Sequence, residues 1–364
     1  MPRPAKSSVK TVRRIIDGID GRILELLNQR VQASKRIGAI KAAEGGSVYA
    51  PHREKEVLDR LKSLNRGPMT SEAIEAVYRE IMSFSISVEK KVKIAFLGPA
   101  VTYTHQAAMK KFGSSVEYEP CSSITDVFAE VERERCDYGV VPVENSTEGA
   151  VNHTLDMFID SPLRIYAEIF LPIHHNLLTN GIGLKDIERV YSNPQVFGQC
   201  RLWIESHLRG ASLIDTLSTS EAAQIVANSQ RSEGAACLAG SMAASEYGLR
   251  ILSAQIEDNP NNTTRFIVIS RSASEPTRDD KTSIVFEVKD RPGALHDVLV
   301  PFKKAGVNLT KIESRPSKKK AWSYYFFVDF EGHARQPRVA RTLTDLERHC
   351  AFLKVLGSYP RAGE

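Results

Sequence analysis

The sequence predicts a multidomain chain: an all-α segment, then an α/β segment, then a small α+β segment. Three observations carry this reading. Apolar residues recur at helical spacing, unbroken by proline, from Val12 to Lys41. Strand-like and helix-like runs alternate from Lys93 to about Ser270. After a polar stretch, the C-terminal runs order as βαββαβ. At 364 residues the chain is also longer than one core usually serves.

In the first segment the helical positions are Val12, Ile15, Ile16, Ile19, Ile23, Leu26, Leu27, Ala33, Ile37 and Ile40. A second helix is expected from Arg53 to Leu64 and a third from Ser71 to Glu89, with Ser71 as its cap. A first helix of about 30 residues would be about 45 Å long, too long for such short neighbours to cover. Pairing of two copies into a helical bundle would cover it, so a homodimer or a higher homo-oligomer is expected. At Lys93–Leu97 the pattern becomes a strand that ends in Gly98-Pro99. Ser272–Asp280 is polar and contains a proline, as a linker would. Beyond it the expected elements are a strand at Thr282–Val288, a helix at Gly293–Lys304, strands at Leu309–Glu313 and Trp322–Phe330, a helix at Arg338–Arg348 and a strand at Phe352–Tyr359. This is the ferredoxin-like order, and it sets domain limits of 1–90, 91–271 and 281–360.

Composition narrows the partners. The formal charge of +5 is spread along the chain, and Lys318-Lys319-Lys320 falls between two strand-like runs as a hairpin loop would, so no nucleic-acid partner is expected. The longest apolar runs, such as Ile284–Phe286 and Phe326–Val328, are far too short to span a bilayer. Five cysteines without a C-x-x-C spacing suit neither a disulfide framework nor a zinc site, which points to a reducing, cytoplasmic setting. The basic stretch Met1–Arg14 runs straight into amphipathic sequence without an apolar core, unlike a secretory signal.

Several polar residues stand where chemistry could use them. Arg30 is in step with Ile23, Leu26, Ala33 and Ile37, and Lys41 follows eleven residues later on the same face. A buried cation needs an anionic partner, which a ligand or a neighbouring Glu would supply, unless the stem snorkels to water. The strand Gly139–Val143 ends in Glu144-Asn145-Ser146, the position where α/β proteins place ligand sites. Tyr191-Ser192-Asn193-Pro194-Gln195, with Gln199-Cys200, follows another strand-like run, and Asn262-Thr263-Thr264-Arg265-Phe266 precedes a third. Each run taken alone is equally good turn chemistry. None has metal-ligand spacing, and no G-x-G-x-x-G follows the strand at Ile94, so neither a metal nor a dinucleotide is expected. Asp290-Arg291-Pro292-Gly293-Ala294-Leu295 and Glu313-Ser314-Arg315-Pro316 read alone as a helix start and a hairpin turn.

Together these motifs carry resemblances. Leu26-Leu27-x-x-Arg30, Ile37-Gly38-x-x-Lys41 and Arg53-Glu54 resemble the helical chorismate mutases. That likeness implies an intertwined dimer that rearranges chorismate to prephenate without a cofactor. Arg30 and a partner subunit's Arg13 would hold the two carboxylates, Lys41 the ether oxygen and Glu54 the ring hydroxyl, with Arg53 beside it. On the last helix Ser85 fits the pattern, but Glu89 stands where many members carry Gln, so it would have to be neutral to donate to the ether oxygen. Ala50 replaces a frequent acidic residue.

Gly98-Pro99, Val140–Ser146, Tyr191-Ser192-x-Pro194-Gln195, Ser218-Thr219-Ser220-x-Ala222-Ala223 and Thr264-Arg265-Phe266 resemble prephenate dehydratase across 92–271. The resemblance implies two α/β lobes, similar to a periplasmic binding protein, with prephenate between them losing CO₂ and its ring hydroxyl. Thr264 would lie nearest the leaving hydroxyl, and Thr102, Glu144, Asn145, Ser146, Ser192, Gln199 and Thr219 would form the polar shell. Arg265 would take a carboxylate, and Glu144 is a candidate proton donor if burial raises its pKa. Val101 stands where the family has Gly, so a different turn is expected there; Asn193 replaces a usual His. The last segment is similar to the ACT domains of the same family. That implies L-phenylalanine at Gly293, Ala294, Leu295, Glu313, Ser314, Arg315 and Pro316, with feedback inhibition. Two other readings are a dehydratase whose mutase is weak or lost, and a non-catalytic ligand-binding regulator.

Overall fold

The computed structural model describes residues 8–44, 48–317 and 323–363. The lysine triplet Lys318–Lys320, Trp322 and residues 1–7 of the basic N-terminal stretch lie outside the described residues. The chain divides into two compact units. One holds the chain up to Tyr49, Leu58–Val92 and Phe112–Val116; the other holds Ala50–Val57, Lys93–Lys111 and the chain from Glu117 onward.

The helical segment is α1 (Val9–Glu44), α2 (Pro51–Leu64) and α3 (Ser71–Glu89). At 36 residues α1 is about 54 Å long, and the 19 residues of α3 span only about half of that. The covered line on α1 runs through Leu27, Arg30, Val31, Ser34, Gly38 and Lys41, at helical spacing. Arg30 is therefore on the covered face as expected, but its expected companions Ile23, Leu26, Ala33 and Ile37 are exposed. One short partner helix covers a single line of contacts, which leaves the apolar stripe from Val12 to Leu26 open in a single chain. The helices approach closely at Gly38, where a Cβ would lie 2.9 Å from Glu89 Cγ. Thr70 caps α3, not Ser71: it has the extended backbone of a cap, and its hydroxyl accepts from Ala73 N at 3.2 Å.

In the second unit, β1 (Lys93–Leu97), α4 (Tyr103–Phe112), β2 (Glu117–Cys121), α5 (Ile124–Glu132), β3 (Tyr138–Asn145), β4 (Gly149–Ala150), α6 (Asn152–Asp160) and β5 (Arg164–Pro172) begin a first lobe. A second lobe follows: β6 (Asn176–Thr179), β7 (Arg189–Ser192), α7 (Pro194–Gln199), α8 (Arg201–His207), β8 (Ser212–Asp215), α9 (Thr219–Asn228), β9 (Ala235–Ala239), α10 (Ser241–Tyr247) and β10 (Arg250–Ser253). The chain then returns as β11 (Thr263–Ser270), which inserts antiparallel between β3 and β5. The first sheet has the order β2-β1-β3-β11-β5 and the second β10-β6-β9-β7-β8. The two crossings pair with each other: Ile173 N donates to Asn262 O at 2.8 Å and Ile256 N to His175 O at 2.9 Å.

The C-terminal part is β12 (Asp280–Val288), α11 (Ala294–Ala305), β13 (Leu309–Pro316), β14 (Tyr324–Glu331), α12 (Pro337–Glu347) and β15 (Cys350–Pro360), with the antiparallel order β13-β14-β12-β15. Strand alternation gives this sheet two apolar faces. Ile284, Phe286, Val328 and Phe330 pack with Val298, Phe302, Val339 and Leu346 of the two helices. Val285, Tyr325, Phe327, Leu356 and Tyr359 join the core of the first lobe. The linker is tied down, with His333 Nε2 3.2 Å from Ser274 O and Arg335 paired with Glu275. Among the described residues no helix is long and apolar enough to cross a membrane.

Candidate active sites

In the helical unit, Arg30 Nη1 donates to Ser85 Oγ and to Ile81 O at 3.4 Å, and Ser85 Oγ donates to Ile81 O at 2.8 Å. One helical turn of α3 thus holds the guanidinium in place. Lys41 Nζ donates to Val48 O at 2.9 Å and stands 3.9 Å from Glu89 Oε2. The Glu89 side chain is only 8% exposed, because Gly38 lets α1 lie against it. Burial pushes its carboxyl above the ordinary value against the pull of Lys41 and Arg30, so the cluster holds two cations beside a carboxyl biased toward its neutral form. Such a cluster suits an anionic ligand.

In the second unit, a cavity of about 480 Å³ opens at the lobe crossings. Thr147 and Glu148 line it from the first lobe, Gln195, Gly198 and Gln199 from the second, and Glu257, Asp258, Asn259 and Asn262 from the return crossing. Behind it runs a chain of hydrogen bonds. Tyr103 Oη lies 2.8 Å from His175 Nδ1, and His175 Nε2 lies 2.7 Å from Gln199 Oε1. Asn262 Nδ2 donates to the same Gln199 oxygen at 3.2 Å, and Asn145 Nδ2 donates at 2.8 Å both to Asn262 Oδ1 and to Thr264 Oγ1. Burial lowers the His175 pKa, although Gln199 and Glu257 oppose this, so its ring is neutral at pH 7. Glu257 braces the crossings: it accepts from His175 N at 2.9 Å, and its other oxygen lies 2.7 Å from His174 Nδ1.

The opposite face of the same strands is a closed ionic cluster. Arg265 meets Glu168 Oε2 at 2.9 Å, Asp329 Oδ2 at 2.5 Å and Tyr359 Oη at 2.8 Å. Lys281 reaches Glu168 at 2.9 Å, and Lys311 reaches Glu144 at 2.7 Å. Burial alone would lower the Arg265 pKa, but Tyr359, Asp329 and Glu168 outweigh it and the guanidinium stays charged.

Family profiles match three consecutive stretches: chorismate mutase type II over 12–90, prephenate dehydratase over 94–274 and the ACT domain over 282–348. A bifunctional chorismate mutase/prephenate dehydratase of Aquifex aeolicus is 49% identical over 358 residues, which cover 97% of this chain and 98% of that protein. The chain belongs to the bifunctional chorismate mutase/prephenate dehydratase family. Among solved structures, a prephenate dehydratase from Arthrobacter aurescens in complex with L-Phe has a TM-score of 0.69 at 37% identity, covering 74% of this chain and 90% of that one. A structure described as a quorum quenching acylase, GqqA, has a TM-score of 0.68 at 30% identity and covers 74% and 98%. This part of the fold is therefore not tied to one named activity.

In the dehydratase segment the structure brings together Asn145, Gln199 and Thr264, with Asn262 joining them. Ser146 clamps the neighbouring turn, accepting from Thr263 N at 2.9 Å and donating to Asn261 O at 3.2 Å. Thr102 turns its hydroxyl to Leu97 O at 3.3 Å; Thr219 opens α9 behind its cap Ser218. Three expectations are corrected. Arg265 is not free for a substrate carboxylate and Glu144 is not a cleft acid, because alternation on β11 and β3 sends both to the face opposite Thr264 and Asn145. Ser192 is fully buried and donates to Leu238 O at 2.9 Å. The turn at Val101 is a further correction: this residue does adopt positive φ, +70°, at a cost of about 1–2 kcal/mol. Asn193 caps α7, accepting from Gln195 N at 3.0 Å.

In the mutase segment Arg30, Lys41, Ser85 and Glu89 come together, while Arg13 is exposed on α1. Arg53 and Glu54 fall in the second unit. There, exposed Arg53 pairs with Glu56 at 2.9 Å and Glu54 with Lys111 at 2.9 Å. In the ACT segment Gly293 caps α11 at φ +77°, and β12 and β13 finish at the same end of the sheet, either side of the start of β14. Arg315 is held by Asp156 of α6 at 3.2 Å. Sequence reasoning missed Tyr103, His174, His175, Glu148 and Glu257. The one available signal was position: the His pair and Glu257 sit where the chain crosses between lobes, a preferred place for pockets.

Proposed function

We propose that this chain rearranges chorismate to prephenate in its helical segment and converts prephenate to phenylpyruvate in its two-lobed segment, with L-phenylalanine as feedback inhibitor through the C-terminal sheet. The observation that carries the reading is the near-full-length likeness to a bifunctional relative, with all three segments matched in order. Domain limits of 1–90, 91–271 and 281–360 go with it.

For the mutase, Arg30 is the carboxylate anchor, oriented by Ser85, and Lys41 and neutral Glu89 are donors to the ether oxygen. Fixed donors of this kind stabilise charge as it separates across the breaking C–O bond. The open apolar stripe of α1 supports a second copy packing there and bringing its own Arg13; Glu54 remains the candidate for the ring hydroxyl. For the dehydratase, Thr264 is the group nearest the departing hydroxyl, with Gln199, Ser146, Thr102 and Thr219 around the substrate. Prephenate dianion gives phenylpyruvate, CO₂ and hydroxide, which solvent protonates. Aromatisation drives the loss, so no cofactor or metal is required.

For the effector, Gly293, Ala294, Leu295, Glu313, Ser314 and Pro316 offer loop donors and acceptors for an α-amino acid. The pairs from Arg265 to Asp329 and from Glu144 to Lys311 join this sheet to the strands carrying Thr264 and Asn145. They are the route by which the effector acts. Purified chain given chorismate should form phenylpyruvate, and Thr264→Ala should accumulate prephenate at an unchanged mutase rate. Near-normal phenylpyruvate formation by Thr264→Ala would overturn the dehydratase assignment.

A further inference from the structure

The side-chain oxygen of Asn145 accepts from two backbone amides, Thr147 N at 2.9 Å and Glu148 N at 3.1 Å. Backbone N–H groups only donate, so these two bonds fix which end of the amide is oxygen. The nitrogen must then face Thr264 Oγ1 and Asn262 Oδ1, each 2.8 Å away. The constraint spreads outward. With its oxygen taken by Asn145, Asn262 presents its nitrogen to Gln199 Oε1 at 3.2 Å, and Gln199 turns its own nitrogen to Glu148 Oε1 at 3.0 Å. Reversing any one of the three amides would set oxygen against oxygen or NH₂ against N–H.

A threonine hydroxyl has one proton and two lone pairs. Thr264 Oγ1 uses a lone pair on the Asn145 amide, and among the described residues nothing accepts its proton. Thr264 is buried, so that proton is not simply left to bulk water. We propose that Asn145 is a positioning residue for the dehydratase: by donating to Thr264 Oγ1 it holds the threonine hydroxyl as an acceptor within the protein and leaves its proton for the departing ring hydroxyl. Thr264 donates a hydrogen bond and keeps its proton. The C–O electron pair leaves with the hydroxide, while the pair from the broken C–C bond of the carboxylate enters the ring. This inference rests on the placement of Thr264 proposed above.

Asn145→Asp is the informative variant. The introduced carboxylate keeps two acceptors for the Thr147 and Glu148 amides but has no donor, so the Thr264 hydroxyl must turn and donate to it. Dehydratase kcat should fall about 100-fold or more near pH 8, the scale for losing one preorganised donor. The loss should fall on kcat more than on KM, because the bond from the Thr264 hydroxyl strengthens as hydroxide departs and counts most in the transition state. On acidification the introduced carboxyl, once protonated, regains an O–H donor, so the deficit of this variant relative to wild type should shrink. The ionisable groups around the position are Glu148, His175 and Glu257 beyond Gln199, and Glu144, Arg265 and Lys311 across the sheet. Asn145→Ala has the same surroundings, so its deficit should stay constant with pH and isolates the effect of the carboxylate. Wild-type kcat in Asn145→Asp, a loss confined to KM, or deficits equal in the two variants at every pH would each overturn the inference. If Thr264→Ala is inactive while Asn145→Asp behaves as wild type, only this inference fails. If Thr264→Ala keeps its turnover, the underlying assignment fails.

Discussion

Thr264 and Arg265 are consecutive on β11 and serve opposite sides of one sheet. The Thr264 hydroxyl lies 2.8 Å from Asn145 Nδ2, and the Arg265 guanidinium lies 2.9 Å from Glu168 and 2.5 Å from Asp329. Arg265→Met would remove the cation paired with Asp329 and leave both Asp329 and Glu168 with Lys281 alone nearby. Removing one member of a buried pair costs about 3–5 kcal/mol. The melting transition of the second unit should therefore drop by on the order of 10 °C. Were Arg265 a substrate ligand instead, calorimetry would show an unmoved transition and kinetics a raised KM for prephenate.

A second expectation concerns pH. Burial raises the Glu89 carboxyl above its ordinary value of 4.5, so its neutral form persists to higher pH than that of an exposed glutamate. If the neutral form is the donor to the ether oxygen, mutase kcat/KM is greatest at acid pH and declines as pH rises through that raised value. Glu89→Gln should flatten the decline, because an amide donates at every pH. A mutase profile that is flat from about pH 5 to 8 in the native chain would exclude this role.

Much of the architecture was legible in the sequence, and the reasons are physical. The third helix, expected at Ser71–Glu89, occurs at those residues because its helical pattern is long and starts at a cap, and the first strand occurs at Lys93–Leu97 because its short apolar run is cut off by Gly98-Pro99. The βαββαβ order is likewise written in period changes. The candidate sites were legible as residue types but not as directions. Glu144 and Asn145, or Thr264 and Arg265, look equally polar in sequence, yet a strand sends neighbours to opposite faces. Applying that rule would have removed Arg265 and Glu144 from the cleft. Ser192 was a different case, because its burial depends on where Leu238 of β9 comes to lie. His175 and Glu257 lie in crossings without any period, so only the three-dimensional path brings them together.

Lys311 tests the route between the regulatory sheet and the dehydratase. It lies on β13 two residues before Glu313, and its ammonium pairs at 2.7 Å with Glu144, the neighbour of Asn145. Lys311→Met keeps most of the stem and removes the charge. Basal dehydratase kcat should stay within about twofold, while the phenylalanine concentration for half-inhibition should rise about fivefold or more, equivalent to about 1 kcal/mol of coupling. Phenylalanine binding itself, followed by calorimetry, should persist. Unchanged inhibition would remove this pair from the route.

Gly38 offers a test in which local propensity and tertiary packing point opposite ways. In an open helix position Gly→Ala is favourable by about 1 kcal/mol, because alanine loses less backbone entropy. At Gly38 an added Cβ would lie 2.9 Å from Glu89 Cγ, 3.0 Å from its Cβ and 3.3 Å from its Cα. The last two atoms are fixed by the backbone of α3, so no rotamer change relieves the contact; the helices must separate by several tenths of an ångström. Glu89 would then lose burial and move from Lys41, the two features on which its proposed role depends. Gly38→Ala should keep or raise the helical signal in circular dichroism, lower mutase kcat/KM at least tenfold and leave prephenate turnover unchanged. A variant with native mutase activity would mean that the Gly38–Glu89 contact does not hold the site.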